Sequence, residues 1–178
     1  LAASMKDAIQ YGCQVNQISR EGDQYRVVYQ QDGQENTIST PLLFSTIPAY
    51  RLSGSVRAMD EQLASHLDQL YYPPVMVMYL VFRRDAIQQT LDGFGFLIPG
   101  QEGRAFLGAI WSSVIFPHRT DDQHAAFTVF VGGSRNRDLL EHDLEARQQK
   151  VIQEFKQIMK IPQDEEPVLT DKKVWPKA

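Results

Sequence analysis

The sequence predicts an α+β fold in which a mixed, largely antiparallel sheet carries packed helices, beside a small β-meander. Three observations support this prediction. Apolar or alternating runs of strand length occur near residues 75–82, 94–99, 105–111, 125–131 and 168–175. Two longer segments, 57–70 and 138–160, repeat apolar residues at helical spacing. Finally, the turn residues Asp32-Gly33 separate alternating runs, which is typical of a hairpin.

The N-terminal part of the chain is predicted to form a separate small unit. Residues Leu1 to Gln10 place apolar side chains on one helical face, and residues 13–40 follow as a three-stranded meander. The apolar run Leu42 to Ile47 then predicts a short strand, closed by Pro48. We therefore expect a domain boundary that divides the chain into residues 1–52 and 53–178.

The second part begins with the predicted helix 57–70, which must end before Pro73 because proline disfavours helix at the residue preceding it. The unbroken apolar run Val75 to Phe82 then predicts a central strand that is covered on both faces. Near the end of the chain, Pro162 terminates the predicted helix 138–160, and a last strand follows.

Composition excludes several classes of function. The chain has 178 residues, 43% of them hydrophobic, and a net charge of -4 without a cluster of Lys and Arg, so nucleic acid is not an expected partner. The longest apolar run, Val75 to Phe82, is far shorter than the roughly 20 residues of a membrane span. A single cysteine, Cys13, suits a reducing compartment. The chain starts at Leu1 and stops directly after a strand-like run, so we expect a piece of a longer protein.

The glycine-rich segment 93–99, Gly-Phe-Gly-Phe-Leu-Ile-Pro, is the central motif of the sequence. It does not match a dinucleotide-binding loop, because Ile98 occupies the position of the third glycine and a strand-like run follows instead of a helix. Two interpretations remain open. The glycines either allow a flat ligand to approach the backbone or form a bulge or bend in the sheet.

No catalytic or metal-binding cluster is apparent in the sequence. The four histidines are scattered without ligand spacing, and Ser112-Ser113 lack the glycines of a nucleophile elbow. Arg135 and Arg137 could meet a carboxylate or could simply be exposed in a loop. The aromatic side chains of the predicted strands either fill the core or face a ligand, and composition alone does not separate these alternatives.

Three ordered motifs resemble one known family. They are residues 93–99, then Leu107–Ser113 with Phe116–Arg119, and then Phe127–Asn136, which contains Gly132-Gly133. The motifs are similar to those of the protoporphyrinogen oxidases, FAD-dependent enzymes of the amine oxidase superfamily that make protoporphyrin IX in haem synthesis. Phe116-Pro117 followed by Arg119 resembles the bacterial, oxygen-dependent type.

The resemblance implies roles for particular residues. Phe94, Gly95, Leu97 and Phe130 fall where the family lines its tetrapyrrole pocket, and Val15 falls in the segment that passes the adenine end of FAD. Residues 1–52 then belong to the FAD domain, although Thr40-Pro41 replaces an aspartate often found there. Most FAD contacts of the family lie outside the region of resemblance, and no catalytic residue or metal ligand is implied within it.

For the full-length protein the resemblance implies oxidation of protoporphyrinogen IX through FAD, with dioxygen as electron acceptor. A cytoplasmic location, or a peripheral one at the inner membrane face, and a homodimer are further expectations, whereas the isolated chain should be inactive. Three alternatives stay open: another superfamily member such as an amine oxidase or desaturase, a non-catalytic tetrapyrrole-binding module, and an α+β interaction domain.

Overall fold

A computed structural model describes residues 4–5, 8–141 and 143–178, and the fold within this part of the chain is α+β. Contacts divide the chain into two compact units, Leu1–Tyr71 and Tyr72–Ala178. The predicted helix from Leu1 to Gln10 includes residues 1–3, 6 and 7, so half of it lies outside the described residues.

The first unit begins with the predicted meander, which is confirmed. Its antiparallel strands are β1 (Gln14–Glu21), β2 (Gln24–Gln31) and β3 (Gln34–Thr40). Asp32 and Gly33 both have positive φ, of 51° and 77°, as the two central residues of a tight hairpin turn require. The hairpin predicted from Asp32-Gly33 therefore has the backbone geometry that a tight turn requires.

Two helices follow the meander, α1 (Ala49–Val56) and α2 (Glu61–Asp68). The single predicted helix 57–70 is wrong at its start, because Asp60 caps α2 by accepting a hydrogen bond from the Leu63 N–H at 2.8 Å. Helix α1 was not predicted, since Ser53, Gly54 and Ser55 are poor helix formers. Its Val56 packs with residues of α2 and the meander, so tertiary contact stabilises it.

The predicted strand Leu42 to Ile47 is also wrong. These residues lack strand pairing, and their apolar side chains are exposed, with Phe44 at 81% of its surface. A strand needs a hydrogen-bonded neighbour, and the described residues supply none for this segment. The compact units divide at Tyr71, because α1 and α2 pack within the first unit. The assignment of residues 1–52 and 53–178 to separate functional domains stays a prediction.

The second unit contains a five-stranded antiparallel sheet with strand order β5-β6-β7-β4-β8. The strands are β4 (Val75–Arg83), β5 (Gly95–Leu97), β6 (Gly108–Ile110), β7 (His124–Gly132) and β8 (Leu169–Trp175). All five predicted strands are present, and β4 is interior as expected. Every pairing is antiparallel, so the parallel component of the predicted mixed sheet is absent from the described residues.

The core of this unit lies on one face of the sheet, which we call the inner face. Alternate residues of β4 there, including Met76 and Met78, are fully buried together with Phe155 and Val151 of helix α4 (Leu144–Met159). Asp143 caps α4 by accepting hydrogen bonds from two backbone N–H groups. The prediction that β4 is covered on both faces is wrong for most of the strand: Val77 on its other face is buried, but Tyr79 and Val81 there remain partly exposed.

Candidate functional site

The second, outer face of the sheet carries the candidate site, and strand β7 separates the two faces most clearly. Phe127, Val129 and Val131 point to the inner face and are at most 1% exposed. Phe130 points to the outer face and is only half-buried. Because successive strand residues alternate between faces, one strand thus supplies both a core aromatic and a surface aromatic.

Strand register aligns Phe130 with the glycine-rich motif. On the outer face, Leu97 of β5 lies opposite Gly108 of β6, and Gly108 lies opposite Phe130. Phe130 in turn lies opposite Val77 of β4. Directly opposed residues in an antiparallel sheet project to the same side, so Leu97 and Phe130 flank a position without a side chain at Gly108.

A pocket of about 410 Å³ opens at this position. Its lining is almost entirely apolar and consists of Phe94, Gly95, Phe96, Leu97, Ala109, Ile110 and Phe130. The structure therefore brings the four residues Phe94, Gly95, Leu97 and Phe130 together around one pocket. Phe94 and Leu97 are 72% and 87% exposed, which is unusual for side chains of this size and is typical of a binding surface.

Sequence reasoning missed Ile110, Ala109 and Phe96 as lining residues. Ile110 lies in a recognised motif, and strand alternation could have placed its side chain on the face opposite to Ala109 and Trp111. The pairing of β6 with β5 and β7, which brings Ile110 to the pocket, cannot be read from an isolated strand pattern.

Gly95 of this motif and Gly132 at the end of β7 are required by the backbone. A Cβ atom on Gly95, whose φ is 148°, would lie 2.2 Å from the Ala109 carbonyl oxygen. A Cβ atom on Gly132, whose φ is 96°, would lie 2.6 Å from the Pro74 carbonyl oxygen. Neighbouring backbone thus approaches Gly95 and Gly132 more closely than a side chain would allow. The phosphate-loop interpretation fails again, because Gly95 opens strand β5 and not a helix.

Polar groups beside the pocket hold the sheet together. The short helix α3 (Ser112–Ile115) follows β6, and the Ser113 hydroxyl accepts a hydrogen bond from the Ala126 N–H at 3.1 Å. The hydroxyl groups of Ser112 and Thr128 lie 2.7 Å apart. Arg135 donates a hydrogen bond from Nη1 to the Ile98 carbonyl oxygen at 2.9 Å, directly after β5. These contacts give the serines and Arg135 structural roles.

The pocket lining contains no titratable side chain. The perturbed acids of this unit lie elsewhere: a hydrogen bond from Arg83 lowers the pKa of Glu165, and a hydrogen bond with His124 lowers the pKa of Asp121. Across residues 4–5, 8–141 and 143–178, no group of three metal-ligating side chains forms. The pocket can therefore bind an apolar molecule, but its side chains cannot supply general acid or base catalysis.

Val15, the residue predicted to contact a cofactor, lies in the first unit on β1. It is 41% exposed and sits beside a register shift between Val15 and Gln17. Within the described residues, no helix N-terminus of the first unit is preceded by a glycine-rich turn.

Comparison with known proteins places the chain among flavin-containing oxidoreductases. Residues 1–178 match the family described as flavin containing amine oxidoreductase, and the chain belongs to this family. It is 28% identical over 164 residues to chloroplastic protoporphyrinogen oxidase 1 of Arabidopsis thaliana, covering 89% of this chain and 30% of that protein. It is 33% identical over 119 residues to the mitochondrial protoporphyrinogen oxidase of Nicotiana tabacum, covering 65% of this chain and 23% of that protein. The chain thus spans less than a third of either relative.

Solved structures share the fold. A candidate protoporphyrinogen oxidase from Exiguobacterium superposes with a TM-score of 0.64 at 21% identity, covering 93% of this chain and 34% of that one. Cyclohexylamine oxidase from Brevibacterium oxydans superposes with a TM-score of 0.70 at 11% identity, covering 98% and 36%. The predicted α+β fold and the predicted resemblance are thereby confirmed. Among the described helices, none is long and apolar enough to cross a bilayer.

Proposed function

We propose that this chain supplies the tetrapyrrole-binding surface of an FAD-dependent protoporphyrinogen oxidase of the bacterial, oxygen-dependent type, which converts protoporphyrinogen IX to protoporphyrin IX in haem synthesis. One observation carries the proposal. The four residues that the family resemblance assigns to the substrate, Phe94, Gly95, Leu97 and Phe130, lie around one apolar pocket on the outer face of the sheet.

The chemistry of the pocket suits this substrate. A porphyrinogen is a large and mostly apolar macrocycle, which aromatic and aliphatic side chains bury well. Bound FAD would accept the hydride in this reaction, so the surrounding side chains need not include a strong acid or base. Phe94, Leu97 and Phe130 would instead orient the macrocycle and exclude water from its apolar surface.

The proposal also assigns the remaining parts of the enzyme. Residues 1–52 would belong to the FAD domain, with Val15 near the adenine end, and residues 53–178 to the substrate-binding domain. Dioxygen would reoxidise the cofactor. We further propose that the full-length protein forms a homodimer in the cytoplasm or at the inner membrane face.

The test uses the full-length protein, purified with its flavin and assayed in air with protoporphyrinogen IX. We expect formation of protoporphyrin IX, detected by its fluorescence, and we expect Phe130→Arg to reduce kcat/KM at least tenfold because a charged side chain would enter the pocket. Phe116→Arg is the matched control, since Phe116 is 50% exposed and lies outside the pocket.

Three results would refute the proposal. Oxidation of primary amines without oxidation of protoporphyrinogen would indicate an amine oxidase, which the shared fold with cyclohexylamine oxidase makes the second candidate. Porphyrin binding without any turnover would indicate a non-catalytic tetrapyrrole-binding module. If Phe130→Arg and Phe116→Arg had equal effects, the pocket would not be the substrate site even in an active enzyme.

A further inference from the structure

A single lysine extends the row of residues that crosses the pocket. On the outer face, Lys173 of the edge strand β8 lies opposite Val77 of β4, which lies opposite Phe130 of β7. The same row continues through Gly108 to Leu97. Neighbouring strands are about 4.8 Å apart, so the backbones of Lys173 and Phe130 are separated by about 10 Å. Val77, between them, is only 8% exposed, so a ligand that extends from Phe130 across this row toward β8 would meet Lys173 at its border.

The ammonium group of Lys173 is available for an anion. The side chain is exposed, and within the described part of the chain it makes no hydrogen bond or ion pair. Its neighbour Lys172 projects to the inner face and contacts Glu145. Asp171 shares the outer face with Lys173, but its Oδ1 accepts a hydrogen bond from the Lys172 N–H at 2.8 Å.

Three other basic side chains of this unit, Arg83, His124 and Arg135, already have hydrogen-bond partners. Arg83 shares the outer face but lies at the far end of β4, where its Nε and Nη2 donate to Glu165 at 3.0 and 3.1 Å. His124, opposite Arg83, contacts Asp121. Arg135 is engaged by the Ile98 carbonyl oxygen. Lys173 is thus the unpaired cation in the row that contains Phe130, as far as the described residues extend.

We infer that Lys173 binds a carboxylate side chain of the tetrapyrrole while the macrocycle lies on Phe130 and Leu97. This inference rests on the proposed function, and it adds a charge-recognition residue to a pocket that is otherwise apolar. The flexible apolar stem of lysine can lie along the surface beside Val77, and its ammonium group can turn toward an acidic substituent at the edge of the ring. A carboxylate there would gain a charge-assisted hydrogen bond.

The test compares two substrates on the full-length enzyme: protoporphyrinogen IX and its dimethyl ester, which has the same macrocycle without the two negative charges. For Lys173→Gln we expect KM for the diacid to rise about three- to tenfold, the range of a partly exposed charged contact, with kcat nearly unchanged. KM for the dimethyl ester should be the same as in the wild type. Lys173→Arg should restore most of the affinity for the diacid.

Lys150→Gln is the matched control, because Lys150 is an exposed lysine of α4 outside the pocket and should leave both KM values unchanged. Equal losses for diacid and ester would overturn the inference, since a merely structural role of Lys173 does not depend on substrate charge. Unchanged KM for both substrates would also overturn it, while turnover by the wild type would keep the proposed function intact. A wild-type protein that oxidises neither tetrapyrrole would refute both.

Discussion

Replacement of two phenylalanines on strand β7 separates folding from binding. Phe127 is 1% exposed and packs edge-on against Phe155, with ring centroids 5.0 Å apart. We expect Phe127→Ala to destabilise the second unit by about 3–5 kcal/mol, because it removes a buried ring and leaves a cavity. Phe130 is half-buried beside an open pocket, so Phe130→Ala should cost only about 1 kcal/mol, roughly half the transfer free energy of a fully buried side chain.

The assay is urea unfolding of the full-length variants, compared as shifts of the midpoint for the second unit, together with steady-state kinetics on protoporphyrinogen IX. Phe130→Ala should raise KM severalfold while its midpoint stays close to that of the wild type. Phe127→Ala should shift the midpoint strongly and affect kinetics only through loss of folded protein. Equal midpoint shifts for the two variants would refute the assignment of Phe130 to a binding surface.

Two further predictions concern the backbone and one ion pair. Gly95→Ala should lower the urea midpoint by an amount equivalent to about 2–4 kcal/mol, because its Cβ would clash with the Ala109 carbonyl. Gly100→Ala is the control and should be nearly neutral, since its Cβ would meet only Arg135 Nε at 4.0 Å. Equal effects of the two substitutions would contradict this reasoning. The pKa of Glu165 is lowered by its hydrogen bond to Arg83, so the stability that this pair contributes is present above the ordinary pKa of Glu165 and is lost as pH falls through the lowered value. The melting temperatures of wild type and Glu165→Gln should therefore differ at pH values above the ordinary pKa of Glu165 and converge below its lowered pKa. A difference in melting temperature that persists below the lowered pKa would argue against the pair.

Patterns of period two and turn chemistry predict most of the sheet. The meander follows from Asp32-Gly33, and β4 and β7 follow from long apolar runs, because both signals are local. The faces of β4 were predicted incorrectly, since an unbroken apolar run does not say whether a helix covers one side or both. The strand prediction for Leu42 to Ile47 was wrong for a related reason, because strand formation depends on a pairing partner that lies elsewhere in the chain.

The candidate site, like the fold, was predicted only in part. Phe94, Gly95, Leu97 and Phe130 were assigned through family resemblance, and their composition alone would equally have suggested a core. Helix α1 and the lining residue Ile110 were missed, because each depends on tertiary packing or on strand register. Lys173 lies far from Phe130 in sequence, and only the β8-β4-β7 pairing places the two in one row.

The arrangement of β7 explains how an apolar surface can remain accessible beside a stable core. Inner-face residues such as Phe127 and Val129 complete their packing against α4 and the neighbouring strands, so the sheet depends mainly on its inner face for stability. Gly95 and Gly108 bring β5 and β6 together through the backbone, which leaves Leu97 and Phe130 without a side chain between them. The same glycines that tighten strand pairing thereby open the pocket, so a side chain at Gly108 would disturb strand pairing and occlude the binding surface at once.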